Sequence, residues 1–214
     1  MGQKINPFGF RIGSYTTWQS RWFFDDPKKY REYLLEDIKI RRMLMNRLKV
    51  AGITGVEIER LPKSMTITLN VSRPGVVIGR GGSGIEDVKK MILSVIGKMD
   101  KNVKIDLPVV EVKIPELSAQ LVAERIGQEL ERRVPQRRVV SRAMERVMQA
   151  GGLGIKVVLS GRIGGAEIAR KEQYHMGSVP TQTLRENIDY VQVPALLKRG
   201  YVGVKVWIHK KEEQ

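Results

Sequence analysis

The chain has 214 residues, 42% of them apolar, enough for one or two packed cores and too many for a disordered basic tail. Lysine and arginine number 38 against 23 acidic residues, giving a net charge of +15 and a pI near 10.1. A surplus of this size needs a counter-charge, and nucleic acid or an anionic membrane can supply one. No apolar run approaches the ~20 residues a bilayer demands, and no apolar stretch of signal length opens the chain. Met1-Gly2 is not followed by Ser or Thr at position 6, so lipidation is not expected. Cysteine is absent, which excludes disulfides, thiolate metal sites and cysteine catalysis. A cytoplasmic protein with a nucleic-acid partner is expected, with no membrane contact and no cofactor.

Residues 1–27 are basic and aromatic without a sustained period. Lys4, Arg11 and Arg21 stand among Phe8, Phe10, Tyr15, Trp18, Trp22, Phe23 and Phe24. This composition suits an extended arm against RNA or protein, and packing of part of the set on the first domain is an equal reading. Asp25 or Asp26 before Pro27 marks a helix start. Tyr30, Leu34, Ile38, Met45 and Leu48 then recur at helical spacing over Lys28 to Val50, and Gly52 ends the helix. Strands are expected at Val56–Glu59 and Met65–Val71, joined through Arg60 to Ser64.

A glycine-rich basic stretch follows, Pro74-Gly75-Val76-Val77-Ile78-Gly79-Arg80-Gly81-Gly82-Ser83-Gly84-Ile85. Its centre, Gly79, Arg80, Gly81 and Gly82, is a G-x-x-G loop. Glycine at both ends lets a phosphate backbone approach main-chain atoms, and Arg80 adds charge where it does so. Such a loop before a helix is the clamp of a KH module. The same letters spell G-x-G-x-x-G through Gly84, with Asp100 downstream, as in a dinucleotide fold. Arg73-Pro74-Gly75 breaks the preceding strand, leaving only Val76, Val77 and Ile78 before Gly79, too few for a central strand. A P-loop motif is absent. Ile85, Val88, Ile92 and Val95 form the next helical face, closed at Gly97, and Val103, Ile105 and Leu107 alternate as a strand. Three strands with helices complete a first domain over 28–112.

The second domain, 113–214, opens at Pro115. Leu117, Val122, Ile126 and Leu130 give one helix, stopped at Arg132-Arg133-Val134-Pro135. A second runs from Gln136 to Ala150. Seven arginines lie between Arg125 and Arg146, at 125, 132, 133, 137, 138, 142 and 146, against three glutamates. Arginine forks phosphate and stacks on bases, so this segment is expected to face RNA. Strands are expected at Ile155–Leu159, Thr183–Tyr190 and Tyr201–Ile208. Between the first two lies a second glycine-rich basic turn, Ser160 to Gly165, containing Arg162, then Lys171, Tyr174 and His175. In the last strand Tyr201, Gly203, Lys205 and Trp207 alternate with the apolar set. His175 and His209 lack ligand-spaced partners, no metal site is expected, and neither G-x-S-x-G nor H-E-x-x-H occurs. Glu86 and Asp87 suit the first turn of a helix better than catalysis. The chain is therefore not expected to be an enzyme. A free RNA-binding regulator, a nuclease for damaged strands and a dinucleotide enzyme are the weighed alternatives.

Four blocks in order resemble the uS3 family of bacterial small-subunit ribosomal proteins. They are Met1 to Pro7, Arg73 to Gly82, Ser160 to Arg170, and Gly203 to Ile208. The resemblance implies an α/β (α+β) chain, with a type II KH domain followed by a C-terminal α/β domain. It implies a place in the head of the 30S subunit, binding of 16S rRNA, and ribosomal proteins S10 and S14 as neighbours. It also implies that the chain lines the channel through which mRNA enters, beside S4 and S5, and helps to unwind structured messages. By register with Glu131-Arg132-Arg133-Val134, the residues credited with this fall on Arg137, Arg138 and position 141. Ser141 stands where the bacterial family often has lysine, with Arg142 beside it. Arg132, Arg133, Arg137, Arg138 and Arg142 are the expected mRNA contacts, and Gly79, Arg80, Gly81 and Gly82 the KH loop. Lys4, Arg11, Arg21, Arg162, Lys171 and Tyr174 are further candidates for rRNA or protein contact. A second departure from the family, Leu107-Pro108-Val109-Val110, lengthens the link, and Pro108 is expected to interrupt the strand.

Overall fold

The computed structural model describes residues 3–14, 16–61, 64–96 and 104–211. Tyr15, the Pro62-Lys63 join, the expected helix stop at Gly97, Asp100, Val103 and the last three residues lie outside the described residues. Two compact units emerge, residues 18–113 and residues 1–17 with 114–214. The basic, aromatic N-terminal segment is thus shared between the units at about residue 17.

In the first unit, Asp26 caps helix α2 (Pro27–Arg47) through its side chain to the Lys28 amide, with Pro27 at the first helical position. The described chain also has a short helix α1 (Pro7–Phe10) and a two-residue strand β1 (Ser20–Arg21) before it. After α2 a 3-10 turn ends at Gly52, φ 67°, a left-handed conformation that favours glycine. Strands β2 (Ile53–Leu61) and β3 (Ser64–Val71) then pair antiparallel. On β3 burial alternates strictly, with Met65, Ile67, Leu69 and Val71 inward. Helix α3 (Pro74–Ile78), the glycine loop and helix α4 (Ser83–Val95) follow. Strands β4 (Lys104–Asp106) and β5 (Val109–Glu111) both run parallel to β3 in one continuous register, Ser64 opposite Lys104 and Leu69 opposite Val109. The break falls at Leu107-Pro108, as the proline demands, and the Pro108 carbonyl still accepts from the Leu69 amide. Ile40 and Leu44 of α2 and Val88 and Ile92 of α4 complete the core over this sheet.

A buried ion cluster joins the N-terminal aromatics to this unit. Arg60 on β2 donates to Asp37 of α2 at 2.6 and 2.9 Å and to Glu36 at 3.0 Å. Trp22 Nε1 donates to the other Asp37 oxygen at 2.7 Å. The guanidinium lies 4.8 Å from the Tyr33 ring, and Phe24 stacks on Tyr33 at 4.6 Å. Trp22 and Phe24 therefore pack on the domain, while Trp18 and Phe23 stay exposed.

In the second unit, helices α5 (Ala119–Glu131) and α6 (Gln136–Gln149) cover one face of an antiparallel sheet of β6 (Gly154–Gly161), β7 (Arg170–Gly177), β8 (Ile188–Leu197) and β9 (Gly200–His209). The order is β7-β6-β9-β8. Ile155, Val157 and Leu159 of β6 and Val202, Val204 and Val206 of β9 face the helices. Strand β7 is absent from the sequence reading, and β8 begins at Ile188 rather than Thr183. Residues 183–187 form turns instead, where the Arg11 guanidinium collects carbonyls.

Removing Asp37 takes from the buried Arg60 its nearest carboxylate, leaves it Glu36 alone and strips Trp22 Nε1 of its acceptor. Asp37→Ala is expected to lower stability by about 3–5 kcal/mol in urea unfolding. A loss below about 1 kcal/mol would show that the cluster is not desolvated as its geometry indicates. Glycines at the loop separate by cause. A Cβ on Gly84 would meet the Val77 carbonyl oxygen at 2.4 Å, whereas Gly81 has open space and only a positive φ of 62°. Gly84→Ala is expected to cost about 2 kcal/mol or more and Gly81→Ala about 1 kcal/mol, an order that thermal melts of both variants check.

Candidate nucleic-acid interface

The first candidate is the loop between α3 and α4. Gly79, Gly81 and Gly82 have φ of 70°, 62° and 82°, so three of its four residues occupy the left-handed region. Only Arg80 carries a side chain, and it projects into solvent. Ser83 Oγ donates back to the Arg80 carbonyl at 3.0 Å and fixes the turn. No side chain caps the start of α4, whose first-turn amides are the donors an anion would use. The short apolar run before Gly79 is the helix α3, and Gly84 lets α3 and α4 approach closely. The third glycine of the dinucleotide-like pattern thus serves helix packing.

The second candidate is the turn joining α5 to α6. The Arg133 amide bonds the Leu130 carbonyl and the Val134 amide bonds the Glu129 carbonyl, a Schellman closure. Its left-handed position is normally glycine. Arg133 sits there at φ 61°, the one non-glycine residue with positive φ among the described residues. That backbone costs roughly 1 kcal/mol, so the side chain is held at a strained site. Val134 packs on the core beneath. On α6, Val139, Val140, Ala143, Met144 and Val147 face inward, which leaves Arg137, Arg138, Ser141 and Arg142 on the exposed face. Arg137 and Arg138 lie in the first turn, against the helix dipole, and that turn contains no acidic residue. Among the described residues no carboxylate pairs with Arg132, Arg133 or Arg138.

The remaining arginines of this segment are more engaged. Arg125 is forked by Glu116 at 2.6 and 2.7 Å. Arg142 lies 3.6 Å from Glu129, an ion pair too long for a hydrogen bond, and Glu129 Oε2 is buried without one. Tyr174 on β7 belongs to this neighbourhood. Burial and its 2.6 Å hydrogen bond to Glu172 push its phenol above the ordinary tyrosine value, and Arg137 beside it opposes the shift. The second glycine turn adjoins too, Gly164 lying beside Gln136 at the start of α6. Arg162 braces that turn through the Ala166 carbonyl at 2.9 Å, and Arg199, which the sequence reading passed over, does so through Gly165 at 2.7 Å.

Two expected contact residues are engaged within the fold, one buried and one at the surface. Arg11 is wholly buried and donates to the carbonyls of Pro7, Thr181, Thr183 and Glu186 at 2.8–3.1 Å. It ties residues 3–14 to the second unit and presents no charge to a partner. Burial lowers its pKa, with Glu186 opposing. Arg21 is paired with Glu59 at 2.9 Å and Glu57 at 3.4 Å on β2 and stays exposed at the surface. Lys4 and Lys171, by contrast, both line a cleft on the sheet face opposite the helices. His209 is buried between Glu186 and the Ser178 carbonyl, and His175 is exposed. Among the described residues no three His, Cys, Asp or Glu side chains could hold a metal ion, and no helix is long and apolar enough to cross a membrane.

Comparison with known proteins matches residues 39–117 to the KH domain family and residues 126–208 to the family described as ribosomal protein S3, C-terminal domain. The small ribosomal subunit protein uS3 of Caldicellulosiruptor saccharolyticus is 48% identical over 210 residues, covering 98% of this chain and 92% of the relative. That of Persephonella marina is 48% identical over 213 residues, covering 100% and 92%. The protein of the same name from Desulfitobacterium hafniense is 47% identical over 212 residues, covering 99% and 94%. With a KH loop, an arginine-rich helical turn and end-to-end similarity at this level, the chain belongs to the uS3 family of bacterial small-subunit ribosomal proteins, structural RNA-binding proteins without catalytic activity.

Proposed function

We propose that this chain is an RNA-binding component of the head of the 30S subunit, holding 16S rRNA and lining the channel through which mRNA enters. The observation that carries the second part is the ridge of Arg132, Arg133, Arg137 and Arg138. It is exposed and lacks carboxylate partners for Arg132, Arg133 and Arg138. It also holds one arginine at a strained backbone position and two against a helix dipole. Natural folds keep such costs where function uses them. Arginine forks would hold phosphates of a single strand by backbone contacts, so sequence preference is weak. Unwinding then amounts to capture of separated strands as the ribosome moves, with no bond made or broken by this chain. Arg142 gives a weaker third contact because Glu129 shares its charge, and Ser141 adds none.

In the same reading the loop Gly79–Gly82 grips an RNA backbone through Arg80 and the open amides of α4. Arg162, Lys4, Lys171 and Tyr174 belong to rRNA or protein contacts, with ribosomal proteins S10 and S14 as neighbours and S4 and S5 across the mRNA path. Arg11 serves the fold, and Arg21, exposed beside Glu57 and Glu59, stays a contact candidate.

Replacing Arg137 and Arg138 together by alanine is expected to slow translation of a hairpin-bearing message while leaving an unstructured message and subunit assembly unaffected. It should also lower the slope of log affinity against log salt for single-stranded RNA by about 1.4. Equal rates on the hairpin message for variant and parent would sink the proposal. Arg133→Gly separates backbone from side chain. Stability should rise by about 1 kcal/mol while RNA affinity falls, and a variant that is more stable with unchanged affinity would remove Arg133 from the interface.

A further inference from the structure

The sheet of the second unit has two faces, and the helices cover only one. Register fixes what the other displays. One row across the four strands is His175, Lys156, Trp207 and Tyr190. The next is Gln173, Val158, Lys205 and Gln192, and the next begins at Lys171. A soluble sheet face left to water carries mixed charges, but these rows carry cations, amides and aromatics and no carboxylate.

This face is roofed. Residues 3–10 lie over it and enclose a cleft of about 660 Å³. The roof is held from one side by the buried Arg11 and its four carbonyl partners. Into the cleft come Lys4 from the roof and Lys156, Lys171 and Lys205 from the floor, and no acidic residue lines it. Tyr190 and Trp207 form an aromatic pair with ring centres 4.9 Å apart, and Lys156 Nζ stands 5.5 Å from the Trp207 ring. Four lysines lining one cleft without a carboxylate repel one another unless an anion joins them. Lys156 has its pKa lowered, by burial first and then by the charges of Lys4 and Lys171.

We infer that this cleft is a second RNA site, which seats a nucleotide of a single strand or bulge with its phosphates among Lys4, Lys156, Lys171 and Lys205 and its base against Trp207 and Tyr190. It deepens the rRNA-binding reading above by naming where on this unit the RNA lies. Aromatic side chains on an open four-stranded sheet are a recurring platform for unstacked bases. The volume suits a nucleotide and is far too small for a duplex. Lysine point charges tolerate any phosphate geometry, while the amides of Gln173 and Gln182 offer both donors and acceptors to a base edge. An acidic peptide would satisfy the lysines and leave the aromatic pair and the amides without a role.

The test uses the full chain, an unstructured oligoribonucleotide of about 10 nucleotides, and ultraviolet crosslinking with the linked peptides mapped. Crosslinks are expected on the peptide carrying Lys205 and Trp207, separately from those on residues 132–142. Lys156→Gln with Lys171→Gln should cut the first yield about 5-fold or more and leave the second intact. Trp207→Leu, with its fold checked by circular dichroism, should do the same. Crosslinks at 132–142 or 79–82 alone overturn the cleft and leave the arginine ridge standing. Crosslinks at the cleft alone do the reverse. An excess of polyglutamate should fail to displace the RNA from the cleft, and displacement by it would overturn the assignment to an RNA strand.

Discussion

A surplus of fifteen positive charges is the constraint that the rest of this structure obeys. Self-repulsion of that size opposes compaction, so cohesion has to come from apolar cores. Each unit has one, built between helices and one face of a sheet. Cations that enter the interior are matched one by one. Arg60 has Asp37 and Glu36, Arg125 has Glu116, and Arg11 has four carbonyl oxygens. The cations left outside include those of the α5–α6 turn and the lysines of the cleft in the second unit.

The two ways of satisfying a buried arginine have different consequences. Arg60 is held by carboxylates and aromatic rings, which fixes a segment of strand against a helix within one domain. Arg11 is held by carbonyls alone, three of them from residues 181–186. Carbonyls neutralise nothing, and the charge that counters Arg11 is the Glu186 carboxylate, which opposes the lowering of its pKa by burial. An arginine is suited to this because its guanidinium stays charged when desolvated and offers five donors in a plane.

Much of this was legible in the sequence because periodicity and breakers carry it. The alternation of β3 and β9, the Asp26-Pro27 start, the stop at Gly52 and the interruption at Pro108 all follow from rules that act on a few adjacent residues. The failures are equally local. Val76-Val77-Ile78 is too short for a central strand, and no local signal shows that it ends a helix packed closely on Gly84. Strand β7 is an edge strand with exposed residues on both faces, so it has no apolar alternation to read. Arg11 and Arg21 read alike as exposed contact candidates because a charge in a short window has an exposed prior, yet Arg11 is buried and Arg21 is exposed but ion-paired. Their partners lie 175 and 38 positions away in the chain.

The cleft shows where such reading stops. Lys205 and Trp207 are visibly on one side of their strand, since period two requires it. Nothing in the sequence places Lys156, Lys171 and Lys4 against them, because that depends on strand order and on a buried arginine that folds the N-terminal segment back. Topology, then, brings three lysines from separate segments to one cleft with one tryptophan. The arginine ridge is the opposite case. It is local, it lies on one turn and one helix face, and its residues were identifiable at once. Of the two cationic surfaces on this unit, the one built by long-range contacts is therefore the one that only a structure could bring to light.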